Sequence, residues 1–313
     1  MKFKSLMTGV MSAALIGMGG AAMAEYPDGP VEFIVPWPPG DLEDVLTRMI
    51  AEDFSEAYGV PAAVVNMPGG GGGPFPGAVH VAMQDPDGST IGSFVPAVPL
   101  IGHEIGIDEL SPAKFDPIGI FLTYPFVIAV SGDAPYSNWE ELVAYAQEND
   151  VALGHFGDVL SPTQVTKALA ASSGMSWGSD AAFDALDCNT LASGDADVIN
   201  TTLQLILPCL DDVNVIASIT GERIALTPDT PTVAEINPEL PVSLWNGLFV
   251  HKDTPQEVRD AIAAVAAETV MSDRAQEVAA TTGALVYWMD AEASAAQIEA
   301  DAAVLARVGE LLE

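Results

Sequence analysis

The sequence predicts an α/β protein folded as two lobes. Two alternations of strand and helix predict it, one over residues 31–95 and one over residues 138–218, separated by a Gly/Pro-rich connection at 100–117. The third observation is the late apolar run Trp245-Asn246-Gly247-Leu248-Phe249-Val250, a strand able to return the chain to the first unit.

The first 24 residues stand apart. Lys2 and Lys4 open the chain, an apolar run covers residues 6–18, and Ala22-Met23-Ala24 is an A-x-A cleavage site. This reads as a secretory signal peptide over residues 1–24, because a spanning helix needs about 20 apolar residues. The expected location is the periplasm. Cleavage removes two lysines and no acid, taking the net charge from −34 to −36. Such a chain has no basic patch for nucleic acid or anionic lipid. The acids are scattered along the chain, which describes a solvated surface.

The first unit opens on an apolar strand at 31–35. A Pro/Gly turn, Pro36-Trp37-Pro38-Pro39-Gly40, follows, and then the acidic start of an amphipathic helix. A strand-to-helix junction of this kind presents free backbone N–H groups at a fixed place. Leu46, Met49, Ile50, Phe54 and Tyr58 share a helical face, and Gly59 ends the helix. A Val-rich strand at 61–66, a glycine loop at 67–74, a helix at 75–84, the turn Asp85-Pro86-Asp87-Gly88 and a strand at 90–95 complete a parallel pattern. Residues 118–130 read as two short strands broken at Tyr124-Pro125.

The second unit reads as a helix at 138–147, a strand at 151–155 and a helix at 162–172. A strand at 175–177, a helix at 184–192 and strands at 196–200 and 213–218 follow. Three helices, at 255–270, 273–281 and 290–312, close the chain, the last with Ile298, Ala302, Leu305 and Leu312 on one face.

The residues alone raise several chemistries. The glycine loop lacks the Gly-Lys-Ser/Thr and G-x-G-x-x-G patterns that hold nucleotides. Gly174-Met175-Ser176-Trp177-Gly178 matches G-x-S-x-G, so an exported α/β hydrolase using Ser176 is the alternative function. That motif needs a strand before the serine, and here a helix precedes it. His80, His103, His155 and His251 are isolated in sequence, so no metal and no cofactor are expected. Cys188 and Cys209 are the only thiols. An oxidising compartment favours their pairing, the other reading being two buried thiols.

Taken in order, the motifs resemble one family. Tyr26-Pro27-Asp28-Gly29-Pro30-Val31 leads into Ile34-Val35-Pro36 and Pro39-Gly40. Asn66-Met67-Pro68-Gly69-Gly70-Gly71-Gly72, Asp85-Pro86-Asp87-Gly88 and Gly194-Asp195-Ala196-Asp197 follow. Last come Pro228-Asp229-Thr230-Pro231-Thr232-Val233-Ala234-Glu235 and the Trp245 to Val250 strand. The chain is similar to substrate-binding proteins of tripartite tricarboxylate transporters, the TctC or Bug family. The resemblance implies a type II periplasmic-binding-protein (Venus-flytrap) fold with two chain crossovers. Lobe I would span 25–124 plus 245–313, and lobe II 125–244, with crossovers near Tyr124-Pro125 and Ser243-Leu244. It also implies a monomer that captures a small organic solute, often a carboxylate, hands it to membrane permease subunits and performs no catalysis.

Matched onto this chain, the family's binding loops become Pro39, Gly40, Asp41 and Asn66, with Ser93, Phe94 and Val95 at a strand end. Gly157, Asp158, Ser161, Thr163, Phe183, Asp184 and Thr201 face them from the other lobe. The chain departs from the family in carrying Asp41, Leu42 and Glu43 where an uncharged glycine-rich run is usual, and Ala181-Ala182-Phe183-Asp184 where Tyr-Lys-Gly-Gly is usual. Either the solute is neutral, cationic or metal-bridged, or Asp41 and Glu43 face solvent and cap the helix. The second is the expectation, because acids at a helix start are ordinary.

Overall fold

Val31–Val35 forms β1, buried everywhere but at Glu32, as a strand covered on both faces must be. In the computed structural model, which describes residues 26–69, 73–111, 114–242 and 244–312, helix α1 (Leu42–Tyr58) follows β1. It packs inward through Leu42, Leu46, Ile50 and Phe54 at four-residue spacing. Gly59 ends α1 in the left-handed region at φ 68°, its N–H reaching Ser55 O. The expected signal peptide, Gly70–Gly72 of the glycine loop and Ser243 lie outside the described residues.

Strands β2 (Ala62–Asn66) and β3 (Thr90–Phe94) flank β1, both parallel to it, with α2 (Phe75–Ala82) between them in the chain. A short α3 (Ala97–Ile101) leads to β4 (Phe115–Thr123). The chain then enters β5 (Phe126–Ser131), α4 (Trp139–Tyr145), β6 (Ala152–His155) and α5 (Ser161–Ser172). Next come β7 (Ser179–Ala182), α6 (Cys188–Ser193), β8 (Val198–Thr202), α7 (Leu203–Ile206), β9 (Val213–Ser218) and α8 (Val233–Ile236). Finally β10 (Trp245–His251), α9 (Gln256–Val270), α10 (Asp273–Thr282), β11 (Leu285–Asp290) and α11 (Ala291–Glu310) close the chain.

These strands make two mixed sheets. The six-stranded sheet has the order β11-β4-β10-β3-β1-β2, and the five-stranded sheet the order β7-β6-β8-β5-β9. Strand β10 is therefore the returning strand that the Trp245 run predicted, antiparallel to both β3 and β4. Two predicted details shift. The strand expected at 175–177 sits at Ser179–Ala182, pairing with β6. Residues 285–289, unassigned from sequence, form with Asp290 an edge strand on β4.

Between the sheets the chain passes through Tyr124-Pro125 on the way out and Leu244 on the way back. The Tyr124 N–H donates to Leu244 O at 2.7 Å, so the two passages lie side by side. Helix α11 makes a further link. The hydroxyl of Ser294 near its start accepts the Ile120 N–H of β4, while Arg307 near its end pairs with Glu239 at 3.0 Å, beyond α8. Cys188 and Cys209 are joined in a disulfide with Cα atoms 6.0 Å apart, tying the start of α6 to the turn before β9. Among the described residues no helix is long and apolar enough to cross a membrane.

Candidate functional site

The C-terminal ends of β1, β3, β6 and β8 all open onto one cleft, where open α/β sheets bind their ligands. Its first wall is Trp37, Asp41, Leu42 and Glu43 after β1, and Val95, Pro96 and Ala97 after β3. Its second wall is Phe156, Leu160, Ser161 and Pro162 after β6, and Thr202, Gln204 and Leu205 after β8. Tyr124, Phe126 and Leu244 form the back, where the chain crosses. The space between the walls is about 640 Å³ with its open mouth included.

Asp44 builds the first wall. Its carboxylate accepts the Gly40 N–H at 2.9 Å, two Arg48 N–H groups at 3.0 and 2.8 Å and the Asn66 amide at 2.8 Å. Burial pulls its pKa up, but these donors outweigh burial and hold it below the usual carboxylate range. Asn66 also donates to Trp37 O at 3.0 Å, and its own carbonyl oxygen accepts from Arg48 at 2.7 Å. The network bends the chain at Gly40, where φ is 97°, a conformation that favours glycine. It also consumes Arg48, the cation that stands beside the turn.

The two acids left over face the cleft. Asp41 occupies the N-cap position of α1, yet its side chain makes no capping hydrogen bond. Glu43 is only 3% exposed and lines the same wall. The expectation that both acids face solvent and cap the helix is therefore corrected. Glu43, the second residue of α1, shares a buried stripe with Thr47 and Ala51 at four-residue spacing and so points inward rather than to solvent. Burial first, and the Asp41 charge second, push Glu43 up to about 8. Burial and Asp44 push Asp41 up to about 6. The Tyr124 hydroxyl has its own pKa raised by burial first and the Glu43 charge second, against the lowering effect of Asn246 beside it. It completes no well-aligned hydrogen bond among the described residues.

On the second wall α5 begins without a side-chain cap, its N-cap being Leu160. In its first turn the Ser161 and Thr163 N–H groups have no partner inside the helix, Pro162 carrying none, and its positive end points at the cleft. Ser161 is 3% exposed, lines the cleft, and its Oγ has no hydrogen-bond partner among the described residues. The Trp37 Nε1 on the facing wall is likewise buried and unpaired among them. Orphaned polar atoms on both walls mark a place where a bound molecule or water completes the bonding. Rings line the rest, with Phe126 edge-on to Tyr124 at 5.9 Å and to Phe156 at 6.3 Å between centroids.

Of the residues the sequence singled out, Asp41, Val95 and Ser161 line this cleft. Pro39 and Gly40 are exposed on the turn beside it, and Asn66 supports the turn from behind. Ser93 is tied into a buried chain, 3.0 Å from the Thr47 hydroxyl and donating to Asn246 at 2.7 Å. Phe94 stacks on Phe249 in the core. Gly157 and Thr163 are buried, and Thr201 donates to Leu186 O at 2.6 Å. Phe183 packs against the apolar cluster of the second sheet, and Asp184 is exposed. The sequence marks Tyr124 as a crossover rather than a cleft residue and gives Trp37, Phe126, Phe156 and Gln204 no binding role. The four aromatics sit within two residues of a proline or a glycine at strand ends, a signal that could have found them.

Two other groupings carry no ligand chemistry in the cleft. His155, Asp158 and Asp180 bring three potential metal ligands together. The Lys167 ammonium already sits among them, 2.5 Å from Asp158 and 3.0 Å from Asp180, and supplies the countercharge a metal would. Ser176 lies on an exposed stretch that runs from α5 into β7. The strand-to-helix elbow a hydrolase nucleophile needs is not there, and His251 belongs to β10 of the other sheet. The hydrolase alternative thus loses its geometric basis.

A family profile described as "Tripartite tricarboxylate transporter family receptor", TctC, matches residues 46–313. A UPF0065 protein from Agrobacterium vitis is 27% identical over 280 residues, covering 84% of this chain and 78% of that protein. Two solved structures share the fold. MatC from Rhodopseudomonas palustris with bound malate superposes with a TM-score of 0.77 at 22% identity, over 92% of this chain and 100% of that one. An R. palustris protein with adipate gives 0.79 at 22% identity, over 92% and 98%.

Proposed function

Since the chain belongs to the TctC family of tripartite tricarboxylate transporter receptors, we propose that it captures a small organic solute in the cleft between its sheets and delivers it to the transporter's permease subunits. The observation that carries this reading is the pairing of walls. Loops from two separate sheets face each other across one space, and the chain passages between the sheets run side by side at Tyr124 and Leu244. Such a frame closes by hinge motion and buries what lies between.

In this reading residues 25–124 with 245–313 move as one lobe, and residues 125–244 as the other. Export through a cleaved signal peptide places the monomer in the periplasm. Asp41 contacts the solute from lobe I and Ser161 from lobe II, with the backbone at Pro39 and Gly40 beside Asp41. The uncapped start of α5 and the free Ser161 hydroxyl suit a carboxylate group. That agrees with the malate and adipate held by the two R. palustris proteins of the same fold.

A thermal-shift screen of carboxylates, amides and amines tests the reading. A ligand at a hundredfold its dissociation constant stabilises by about 2.7 kcal/mol. Stabilisation by at least one class, weakened in Ser161→Ala, supports it. A well-folded chain that responds to none overturns it.

A further inference from the structure

The first wall of the cleft carries two carboxyl groups and, among the described residues, no cation to neutralise them. Asp41 stands at the half-exposed surface of the wall and Glu43 beneath it. Arg48 is spent on Asp44 and Asn66. Among the described residues no Lys, Arg or His lines the cleft from either sheet. Around the acids stand Trp37, Tyr124, Phe126 and Phe156. A carboxylate against this wall meets like charge in a partly dry space. A positively charged nitrogen meets the opposite charge and the faces of aromatic rings, both of which attract it.

Resting on the solute-receptor reading, we propose that the solute carries a cationic nitrogen, a protonated amine or a quaternary ammonium, seated against Asp41 with Glu43 behind it. A carboxylate at the other end of the same molecule then reaches the α5 start and Ser161, so a zwitterion spans both walls. The buried Glu43 gives the site a further property. In the empty cleft burial and Asp41 keep it protonated at neutral pH, and an incoming cation favours its ionised form. Binding therefore releases a proton and tightens as pH rises from 6 to 8. The other groups facing the pair do not supply this charge. Asp44 is held ionised by Arg48, the buried Tyr124 hydroxyl stays protonated, and Asn246 does not titrate.

The test is a titration of the whole mature chain with three molecules that share a three-methylene spacer, 4-aminobutyrate, its trimethylammonium analogue and glutarate. A series of amines and matching dicarboxylates of other lengths accompanies them, and calorimetry is run in two buffers of different ionisation enthalpy. The expected result is stabilisation by ammonium-bearing molecules over their dicarboxylate counterparts, with proton release. Asp41→Asn and Glu43→Gln should each weaken ammonium binding roughly tenfold or more. Glu43→Gln should also abolish the buffer dependence. Two variants are used so that a folding defect in one does not decide the outcome. Binding of dicarboxylates or neutral amides alone, or ammonium binding unchanged in both variants, overturns this inference and leaves the receptor reading standing. Failure of every solute to bind the folded chain overturns the receptor reading itself.

Discussion

Glu43→Gln should make the unliganded protein more stable, and more so at high pH. Glu43 titrates at about 8 in the folded chain against 4.5 when unperturbed, chiefly because it is buried. Between those values the folded chain holds a proton that the unfolded chain has lost. Stability therefore falls as pH rises through that window and reaches its floor above it. Each unit of difference is about 1.4 kcal/mol, so the cost is on the order of 3 kcal/mol at pH 7 and under about 1 kcal/mol at pH 5. The glutamine escapes this cost but must bury an amide beside Tyr124, which offsets about half of the gain. A net gain of roughly 2 kcal/mol raises Tm by about 3 °C in a chain of this size. Differential scanning calorimetry of both proteins from pH 5 to pH 8 checks it. A Tm difference that is the same at both ends, or a variant less stable at pH 8, would refute the assignment of Glu43 as a buried, protonated acid.

Three further outcomes follow from particular contacts. Reduction of the Cys188–Cys209 bond, which closes a separation of 21 residues, should cost about 3 kcal/mol, measured as a lower denaturant midpoint in dithiothreitol. Asp44→Asn weakens the bonds to Arg48 and Gly40 that shape the β1–α1 turn. It should lose about 1–3 kcal/mol of stability by thermal melting and weaken solute binding as well. Ser161→Ala removes a hydroxyl with no internal partner among the described residues. The unliganded melting point should stay within about 1 °C, because exchanging an unbonded hydroxyl for a methyl costs little folding energy, while affinity for a carboxylate-bearing solute falls several-fold.

The frame was legible in the residues because burial writes itself into periodicity. The run at β1, the four-residue spacing in α1 and the returning Trp245 strand each need an apolar face in one place, and each formed there. Strand β11 was not, since its Leu285 is exposed and it lies at an edge, where only one neighbour constrains it. At the site, local chemistry pointed to Asp41 but misjudged its direction. An acid at a helix start ordinarily faces water, and nothing local says that a second sheet will cover it. Glu43 is buried by Tyr124, a residue some eighty positions later that reaches it only through the crossover. The same holds for Ser93 and Phe94, which belong to a strand end but turn toward Asn246 and Phe249 rather than the cleft.

The sign of charge at Asp41 tests the account most directly. Reversing it with Asp41→Arg, and titrating both proteins with 4-aminobutyrate and glutarate, exchanges the wall that the solute meets. The account predicts that the natural chain prefers the ammonium compound and that the variant prefers the dicarboxylate. The same preference in both proteins would contradict it, because the solute would then not sit against this wall.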